Sequence, residues 1–394
     1  MMTVWIFWLS LALIVYVYFG YPLMLGILAS TRRRPYPSQN YEPTVTLLIA
    51  AYNEDPVIAA KIENSLLLDY PREKLQILVT ADGSTDDTVT IVSGYKVQGV
   101  ELSYSPERRG KMAAINSAMT SARGEIIIMS DANNLYDPQT VRELVRPFAV
   151  ASVGAASGSK HILGGDGRLG ESEGLYWKYE DWIKKQETRL VSCTAASGEI
   201  FSFRRVLYSP PPDKIINDDF YMMMRIVKQG YTVAYVPQAK SYERVSISVQ
   251  DEIERRTRIV AGRFQAIALA GSLLPWRSPL IVWQVISHKF LRPLVPFFMI
   301  LAFAGNLSLV IWPVDSAMLA WFPAFTSYGL FFLLQCSFYL LALLGNWIPL
   351  PKVLYLPTFL VNSNMAALLG FFRFVMRRQT ALWKRAQRRE DIVS

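Results

Sequence analysis

What most constrains this chain is where its uncharged apolar runs fall. Val4 to Leu28 carries no charged side chain and is followed by Arg32-Arg33-Arg34, a length that crosses a bilayer and a basic anchor that closes it. Three more uncharged runs lie near the other end, at Pro293 to Trp312, Ala317 to Pro351 and Val353 to Phe372. Between them, from about Pro43 to Gly262, the sequence reads as an ordinary globular domain. The overall 52% hydrophobic and 13% aromatic content therefore reflects the two ends and not an unusually apolar core.

A cleavable signal peptide would want a basic start and a shorter apolar core, and Met1-Met2-Thr3 supplies no charge. The arginine run predicts an N-terminus outside and a cytoplasmic domain after it, hence a multi-pass protein of the cell (inner) membrane. If all three C-terminal runs crossed, Arg377-Arg378, Lys384-Arg385 and Arg388-Arg389 would lie on the wrong side. One run is thus expected not to cross, and Val353 to Phe372 is the candidate, because Asn362-Ser363-Asn364 puts polar groups at its middle. The expected organisation is a transmembrane helix over 1–30, a cytoplasmic domain over 31–245 and amphipathic interface helices over 246–285. A membrane region of two or three spans over 286–376 and a basic tail over 377–394 complete it.

The formal net charge of +9 comes from clusters that flank apolar runs, where anionic lipid headgroups are the natural partner. Nucleic acid is not an expected partner. Two cysteines, Cys193 and Cys336, make no disulfide framework, and two histidines make a zinc site a poor fit. Any metal here is expected to be held by oxygen.

Within the middle, Thr44 to Ala51 reads as a buried strand ending in Tyr52-Asn53-Glu54-Asp55-Pro56, and Val57 to Leu68 as a helix. The unit repeats: Leu75 to Thr80 is a strand ending in Asp82-Gly83-Ser84, with a helix over Thr88 to Tyr95, and Glu125 to Met129 is a strand ending in Ser130-Asp131-Ala132-Asn133. Alternating strands and helices predict a mostly parallel sheet, whose ligands bind beyond the carboxyl ends of the strands. All three polar clusters fall there. No Gly-rich phosphate loop of the Walker or dinucleotide type is present.

The ordered set Tyr52-Asn53-Glu54, Asp82-Gly83-Ser84, Gly110-Lys111, Asp131-Ala132-Asn133, Ser197-Gly198 and Asp218-Asp219, followed by an arginine-rich segment, resembles glycosyltransferase family 2. More narrowly it is similar to the membrane-bound branch of hyaluronan, cellulose and chitin synthases. The resemblance covers about Pro43 to Gln265 and implies an α/β nucleotide-sugar-binding domain of the GT-A type. It also implies that Ala51, Tyr52, Glu54 and Asp82 contact the uridine of a UDP-sugar and that Lys111, at a helix N-terminus, meets the diphosphate. From the residues alone, Asp82 has a plainer reading, an Asx turn capping the next helix through Ser84 and Asp86.

Asp131-Ala132-Asn133 stands where the family has Asp-x-Asp, which implies Mg²⁺ or Mn²⁺ held by Asp131 and Asn133, with the amide oxygen bringing less charge than a carboxylate. Asn217-Asp218-Asp219-Phe220 opens an amphipathic helix over Tyr221 to Gln229. The functional reading makes Asp219 the general base toward the acceptor hydroxyl; the plain one makes these acids helix caps, with Asp218 capping while Asp219 reacts as a combination of both. Cys193, Ser197, Gly198 and Asp218 fall on the acceptor side by resemblance, and Cys193 reads equally as a structural thiol.

Glu254 to Gly262 aligns with the Gln-x-x-Arg-Trp segment of the processive synthases, putting Arg255 at the Gln, Arg258 at the Arg and Ile259 at the Trp. Arg255 and Arg258 are then donor-side cations, while the missing Gln and Trp weaken a processive reading, because Trp gives a sugar ring a face to stack on. The same segment reads as a basic amphipathic helix at a membrane surface. The functional expectation is an inverting transfer from a UDP-sugar to a polysaccharide or lipid-linked acceptor at the cytoplasmic membrane face. A single-transfer lipid glycosyltransferase and a non-catalytic subunit of a polysaccharide secretion complex are the alternatives.

Overall fold

The structure is a computed structural model, and it describes residues 1–32, 41–163, 168–244, 249–312, 328–348 and 350–379. Arg33-Arg34, the first part of the Ala317 to Pro351 run and the basic clusters at Lys384-Arg385 and Arg388-Arg389 lie outside the described residues.

Eight described strands form one sheet: β1 Val45–Ala51, β2 Leu75–Asp82, β3 Val100–Ser105, β4 Ile126–Asp131, β5 Asn134–Tyr136, β6 Val153–Leu163, β7 Phe201–Arg204 and β8 Thr232–Arg244. Their order is β3-β2-β1-β4-β7-β6-β8-β5. β1, β2, β3 and β4 run parallel, as do β6 and β8. β7 is wedged antiparallel between β4 and β6, and β5 pairs antiparallel with β8. The mostly parallel expectation holds; β3 and the antiparallel insert were not anticipated, since Val100–Ser105 is only partly buried and lacks an apolar run.

Every residue of β1 and β2 is buried, as expected where both faces of a sheet are covered. Period-two alternation divides them between two cores. Val45, Leu47 and Ile49 pack with Ile58, Ile62, Val79 and Leu144 on one face. Leu48 packs with Met112, Ile127, Met129, Phe203 and Met223 on the other, each such side chain contributing roughly 1.5–3 kcal/mol on burial. The second core continues into Ile281, Val285 and Phe290, so the globular domain and the C-terminal helices share packing.

Three described helical runs are long and apolar enough to cross a membrane: Met2–Ser30, Pro279–Ile311 and Val353–Val375. Trp5, Leu9, Phe19, Leu23 and Ile27 point outward from the first, and Leu330, Leu333, Leu334 and Leu340 from the shorter apolar helix Tyr328–Leu344. Two features bear on the expected organisation. The Val353 to Phe372 run is one continuous helix, Lys352–Val375, and its polar groups have partners: Asn364 Nδ2 donates to Tyr18 Oη at 3.2 Å, Asn362 Nδ2 to Asn346 Oδ1 at 2.8 Å, and Ser363 Oγ accepts from Arg256 Nη1 at 3.4 Å. The cost that argued against its crossing is thereby offset. The expected boundary at 285/286 lies within one long apolar run, Pro279–Ile311, which passes through a π-helical turn over Ile286–Phe290 and a 3-10 turn over Arg292–Leu294.

Candidate active site

The site is built from the carboxyl ends of β1, β2 and β4. Ala51 and Ala81 lie side by side where β1 and β2 end, and the two following loops are laced together. Asn53 adopts φ 53°, its Oδ1 accepts from Thr85 N at 2.8 Å, and Glu54 N donates to Thr88 Oγ1 at 2.8 Å. The turn at the next helix is capped by Asp86, whose two oxygens accept from Asp55 N and Thr88 N, both at 3.1 Å.

Asp82 does something else. Its Oδ1 accepts from Arg109 N at 2.8 Å and its Oδ2 from Gly110 N at 2.7 Å, so the carboxylate clamps the loop that carries Lys111. Gly83 sits beneath that loop at φ 63°, where a Cβ would come within 2.6 Å of Arg108 N; both the conformation and the space demand glycine. The Arg108 guanidinium covers the Tyr52 ring at 3.8 Å. Of the plain reading, a turn capped through Ser84 and Asp86, the structure shows the Asp86 contact, while Asp82 itself clamps the loop, a partner that sequence reasoning did not anticipate.

Lys111 opens the Lys111–Ala118 helix and its Nζ lies 2.6 Å from Asp131 Oδ1 at the end of β4. Burial alone would lower the Lys111 ammonium, but Asp131, Asp218 and Asp219 outweigh it and hold the group above the ordinary lysine range. Two oxygens near this pair are buried without a hydrogen-bond partner, Oδ1 of Asn133 and Oδ2 of Asp218. Such atoms are costly unless something binds them.

Among the described residues no cage of three or more acidic, histidine or cysteine side chains converges. The donor set does fit a hard divalent ion: Asp131 offers a carboxylate, and Asn133, two residues on, an oxygen buried without a partner.

A polar network lies under this loop. Asn134 takes Ser130 Oγ on its Oδ1 at 3.1 Å and donates to Ser241 Oγ at 2.7 Å, while Lys61 Nζ donates to Asn134 O at 2.8 Å and sits 4.1 Å from the centre of the Tyr136 ring. Burial pushes the fully enclosed Lys61 down to about 7, against the pull of Asp131 and Glu199. Sequence reasoning missed Lys61. The available signal was a lysine on the inward face of the Asp55–Leu66 helix, between Ile58 and Ile62.

On the opposite side, Asn217 precedes the Asp218–Lys228 helix, but its side chain does not cap it. Instead Asn217 Nδ2 donates to Ile259 O at 2.9 Å, which pulls the Val249–Ala268 helix against the site. Asp218 is the first helical residue, so the capping role expected of it is not what the structure shows. Asp219 Oδ1 accepts from Phe220 N at 2.7 Å. Burial and then the Asp218 charge raise the Asp219 carboxyl to about 6, with Phe220 N–H and Lys111 opposing.

Gly198 faces this carboxylate directly, since a Cβ there would stand 3.5 Å from Asp219 Cβ. Ser197 N donates to Ser157 Oγ at 3.1 Å and fixes the loop before it. Cys193 is not brought to the site: it is 1% exposed within the second core, its thiol donates to Ala195 O, and burial, then Glu187, push that thiol up to about 12. Its place is in the core and not on the cavity wall.

A cavity of about 560 Å³ brings Lys111, Asp131, Asp218 and Arg258 together. Arg255, one helical turn before Arg258, does not line it, nor do Ala51, Tyr52, Glu54 and Asp82, which stay at the β1 and β2 ends. Four lining cations were missed as site residues, Arg109, Lys214, Arg373 and Arg377. The last two stand at the end of the Lys352–Val375 helix, more than a hundred residues from Arg258 in sequence, and only folding joins them.

The model described as "Glycosyltransferase like family 2" matches residues 43–262, more than half of the chain. The chain is 25% identical over 242 residues to a probable glycosyltransferase, YdaM, of Bacillus subtilis (strain 168), covering 56% of this chain and 55% of that protein. It is 25% identical over 234 residues to a poly-beta-1,6-N-acetyl-D-glucosamine synthase of Staphylococcus aureus (strain COL), covering 57% and 55%. The chain thus spans about half the length of the curated relatives it matches. In fold it is similar to a mannosyltransferase, PcManGT, of Pyrobaculum calidifontis, solved with GDP-Man and Mn²⁺, at a TM-score of 0.70 and 23% identity over 95% of this chain and all of that one. Its strand order, the carboxylates and lysine gathered at the strand ends and the matched span of sequence agree: the chain is a GT-A type protein and belongs to glycosyltransferase family 2.

Proposed function

We propose that this enzyme moves a sugar from a UDP-sugar to a polysaccharide or lipid-linked acceptor, with inversion to a β-linkage, at the cytoplasmic face of the inner membrane. The observation that carries the reading is one cavity in which the Lys111–Asp131 pair, Asp218 and Arg258 meet, beside an Asp219 carboxyl raised to about 6. Such a carboxylate is ionised at neutral pH yet basic enough to take a proton.

In the proposed step, Asp219 accepts the proton of the acceptor hydroxyl as its oxygen bonds to the anomeric carbon, and the bond from that carbon to the UDP oxygen breaks. Lys111 and Arg258 bind the diphosphate as it gains charge. Asp131 and Asn133 would hold Mg²⁺ or Mn²⁺, which supplies further charge for the leaving UDP. Ala51, Tyr52 and Glu54 form the uridine end, and Asp82 acts there through the loop it clamps. Gly198 leaves room for the acceptor against Asp219.

The apolar helices supply the membrane attachment, and the likeness to a polysaccharide synthase supports a sugar-polymer acceptor. Ile259 and Arg255, standing where processive enzymes have Trp and Gln, favour the single transfer to a lipid instead. A non-catalytic subunit of a secretion complex would have no use for the clustered Asp131, Lys111, Asp219 and Arg258. The test is UDP release by nanodisc-held protein over a panel of UDP-sugars with Mg²⁺ or Mn²⁺, sizing the product. Donor- and metal-dependent turnover that vanishes in Asp219→Asn supports the proposal; folded protein that turns over no donor with polysaccharide or lipid acceptors sinks it.

A further inference from the structure

We infer that Arg373 and Arg377 form a second anion site in this cavity, one that takes the phosphate of a phosphate-linked membrane glycolipid serving as acceptor. The inference rests on the proposed transfer and specifies its acceptor.

The first argument is charge. Among the described residues, six cations line the cavity, Arg109, Lys111, Lys214, Arg258, Arg373 and Arg377, against three acids, Asp131, Asp213 and Asp218. Lys111 pairs with Asp131, and Arg109 approaches Asp213 at 3.9 Å. A nucleoside diphosphate sugar whose phosphates are bridged by a divalent ion brings little net negative charge of its own. Lys111 and Arg258 suffice for it, and the arginines of the far wall remain in surplus. Among the described residues Arg373 pairs with Glu254, at 3.9 Å, with both side chains substantially exposed, a contact of little energetic weight.

The second argument is conformation. The Lys352–Val375 helix closes with Arg377 N donating to Phe374 O at 3.0 Å and Arg378 N to Arg373 O at 2.9 Å, the paired bonds of a left-handed helix stop whose usual occupant is glycine. Arg377 stands in that place at φ 55°. A guanidinium is thus held at a position whose backbone disfavours any side chain, and it lines the cavity.

The third argument is ligand chemistry. A neutral polysaccharide acceptor is gripped by aromatic faces, and Phe374 is the one aromatic residue among the cavity's described lining. Arginines suit phosphate, which they meet with paired N–H donors. These two also stand where an apolar, membrane-length helix ends, the depth at which a lipid's phosphate lies. Met112, Ile215 and Ile216 give the same cavity apolar surface.

The test measures binding to the full chain in phosphatidylcholine nanodiscs by native mass spectrometry, with saturating UDP and Mg²⁺ occupying the donor side. Farnesyl phosphate, farnesol and inorganic phosphate are the probes. Farnesyl phosphate is expected to bind about tenfold or more tighter than either of the others. That preference should disappear in an Arg373→Gln, Arg377→Gly protein, whose glycine suits the helix stop, and survive in Arg373→Lys, Arg377→Lys. Equal binding of farnesol and farnesyl phosphate by the unaltered protein overturns the inference whether or not any variant folds. Inorganic phosphate binding as tightly as farnesyl phosphate overturns the lipid assignment, and a preference untouched by the double substitution overturns the assignment to these arginines. None of these readings needs turnover, so a failure of the transfer reaction is seen separately in the UDP-release assay.

Discussion

His288 Nδ1 lies 2.7 Å from Glu187 Oε1, and its other ring nitrogen lies 3.1 Å from Glu180 Oε2, with all three side chains buried. His288 thus stands between two buried carboxylates. Glu187 also accepts from Tyr21 Oη at 2.6 Å and from Thr194 N at 2.9 Å, and Glu180 pairs with Arg292. Burial would raise the Glu180 carboxyl, yet Arg292 and His288 hold it well below the usual range. This cluster joins the Met2–Ser30 run, the Arg168–Leu190 helix and the Pro279–Ile311 run to the loop that reaches Gly198. Replacing His288 by Leu strands two buried carboxylates and is expected to cost about 3–5 kcal/mol. Melting of His288→Leu, Glu187→Gln and the double variant tests the coupling: losses that simply add would show that the pair is not a unit.

Asp219 sets the expected pH dependence. Its carboxyl is raised to about 6, so transfer should increase as pH rises through that value and level off above it. The sign for stability is the reverse. The folded state favours the protonated acid, so ionisation between the unfolded value and about 6 removes stability as pH rises. Asp219→Asn should therefore melt at or above the parent temperature at neutral pH while transfer falls by about 10²–10⁴-fold. A variant that loses transfer only in proportion to lost folded protein would count against the base assignment.

At the position proposed for the metal, Asn133→Asp adds a second carboxylate where an amide oxygen is buried without a partner. The half-saturating Mn²⁺ concentration, read from UDP release, should fall by about tenfold. Asp131→Asn should raise it by at least as much, since the same change also takes the ionic partner from Lys111. Titrations of both variants that overlay the parent curve would remove the metal from this loop.

Steric predictions separate two glycines. A Cβ on Gly198 meets Asp219 Cβ at 3.5 Å, ordinary contact, whereas a Cβ on Gly262 meets Asn217 Cγ at 2.4 Å. Gly198→Ala should keep most activity and Gly198→Val should lose it, because the added methyls fall on the base. Gly262→Ala should push the Val249–Ala268 helix off Asn217 and lower UDP affinity through Arg258, which that helix carries. Isothermal titration with UDP reads this directly, and unchanged affinity in folded Gly262→Ala would refute it.

Strand ends were the legible part of the site. Apolar runs stopping at Ala51, Thr80 and Met129 locate the β1, β2 and β4 tips because a strand covered on both faces announces itself by composition alone. The place of Asp131 follows from that, while Lys111 and Asp219 were reached through the family resemblance. What stayed hidden depended on tertiary partners. Nothing local distinguishes Asp82 from Asp86, yet one clamps Arg109 and Gly110 and the other caps a turn. Lys61 reads as a solvated charge until the sheet is laid over it. The polar triplet Asn362-Ser363-Asn364 argued against a membrane helix because its partners, Asn346, Arg256 and Tyr18, are distant in sequence.

One close contact governs how the globular and apolar parts are joined. A Cβ on Gly370 would lie 2.9 Å from Thr257 O and 2.8 Å from Val260 Cβ, so the Lys352–Val375 helix touches the Val249–Ala268 helix with its bare backbone. Shifting the Lys352–Val375 helix by one residue along its own screw, about 1.5 Å and about 100°, would put the side chain of Leu369 or Phe371 at that carbonyl. The pair is thus a ruler with one notch. It ties Arg258, on the wall of the cavity, to the end of an apolar helix, and the spacing between the two is set by the absence of one methyl group.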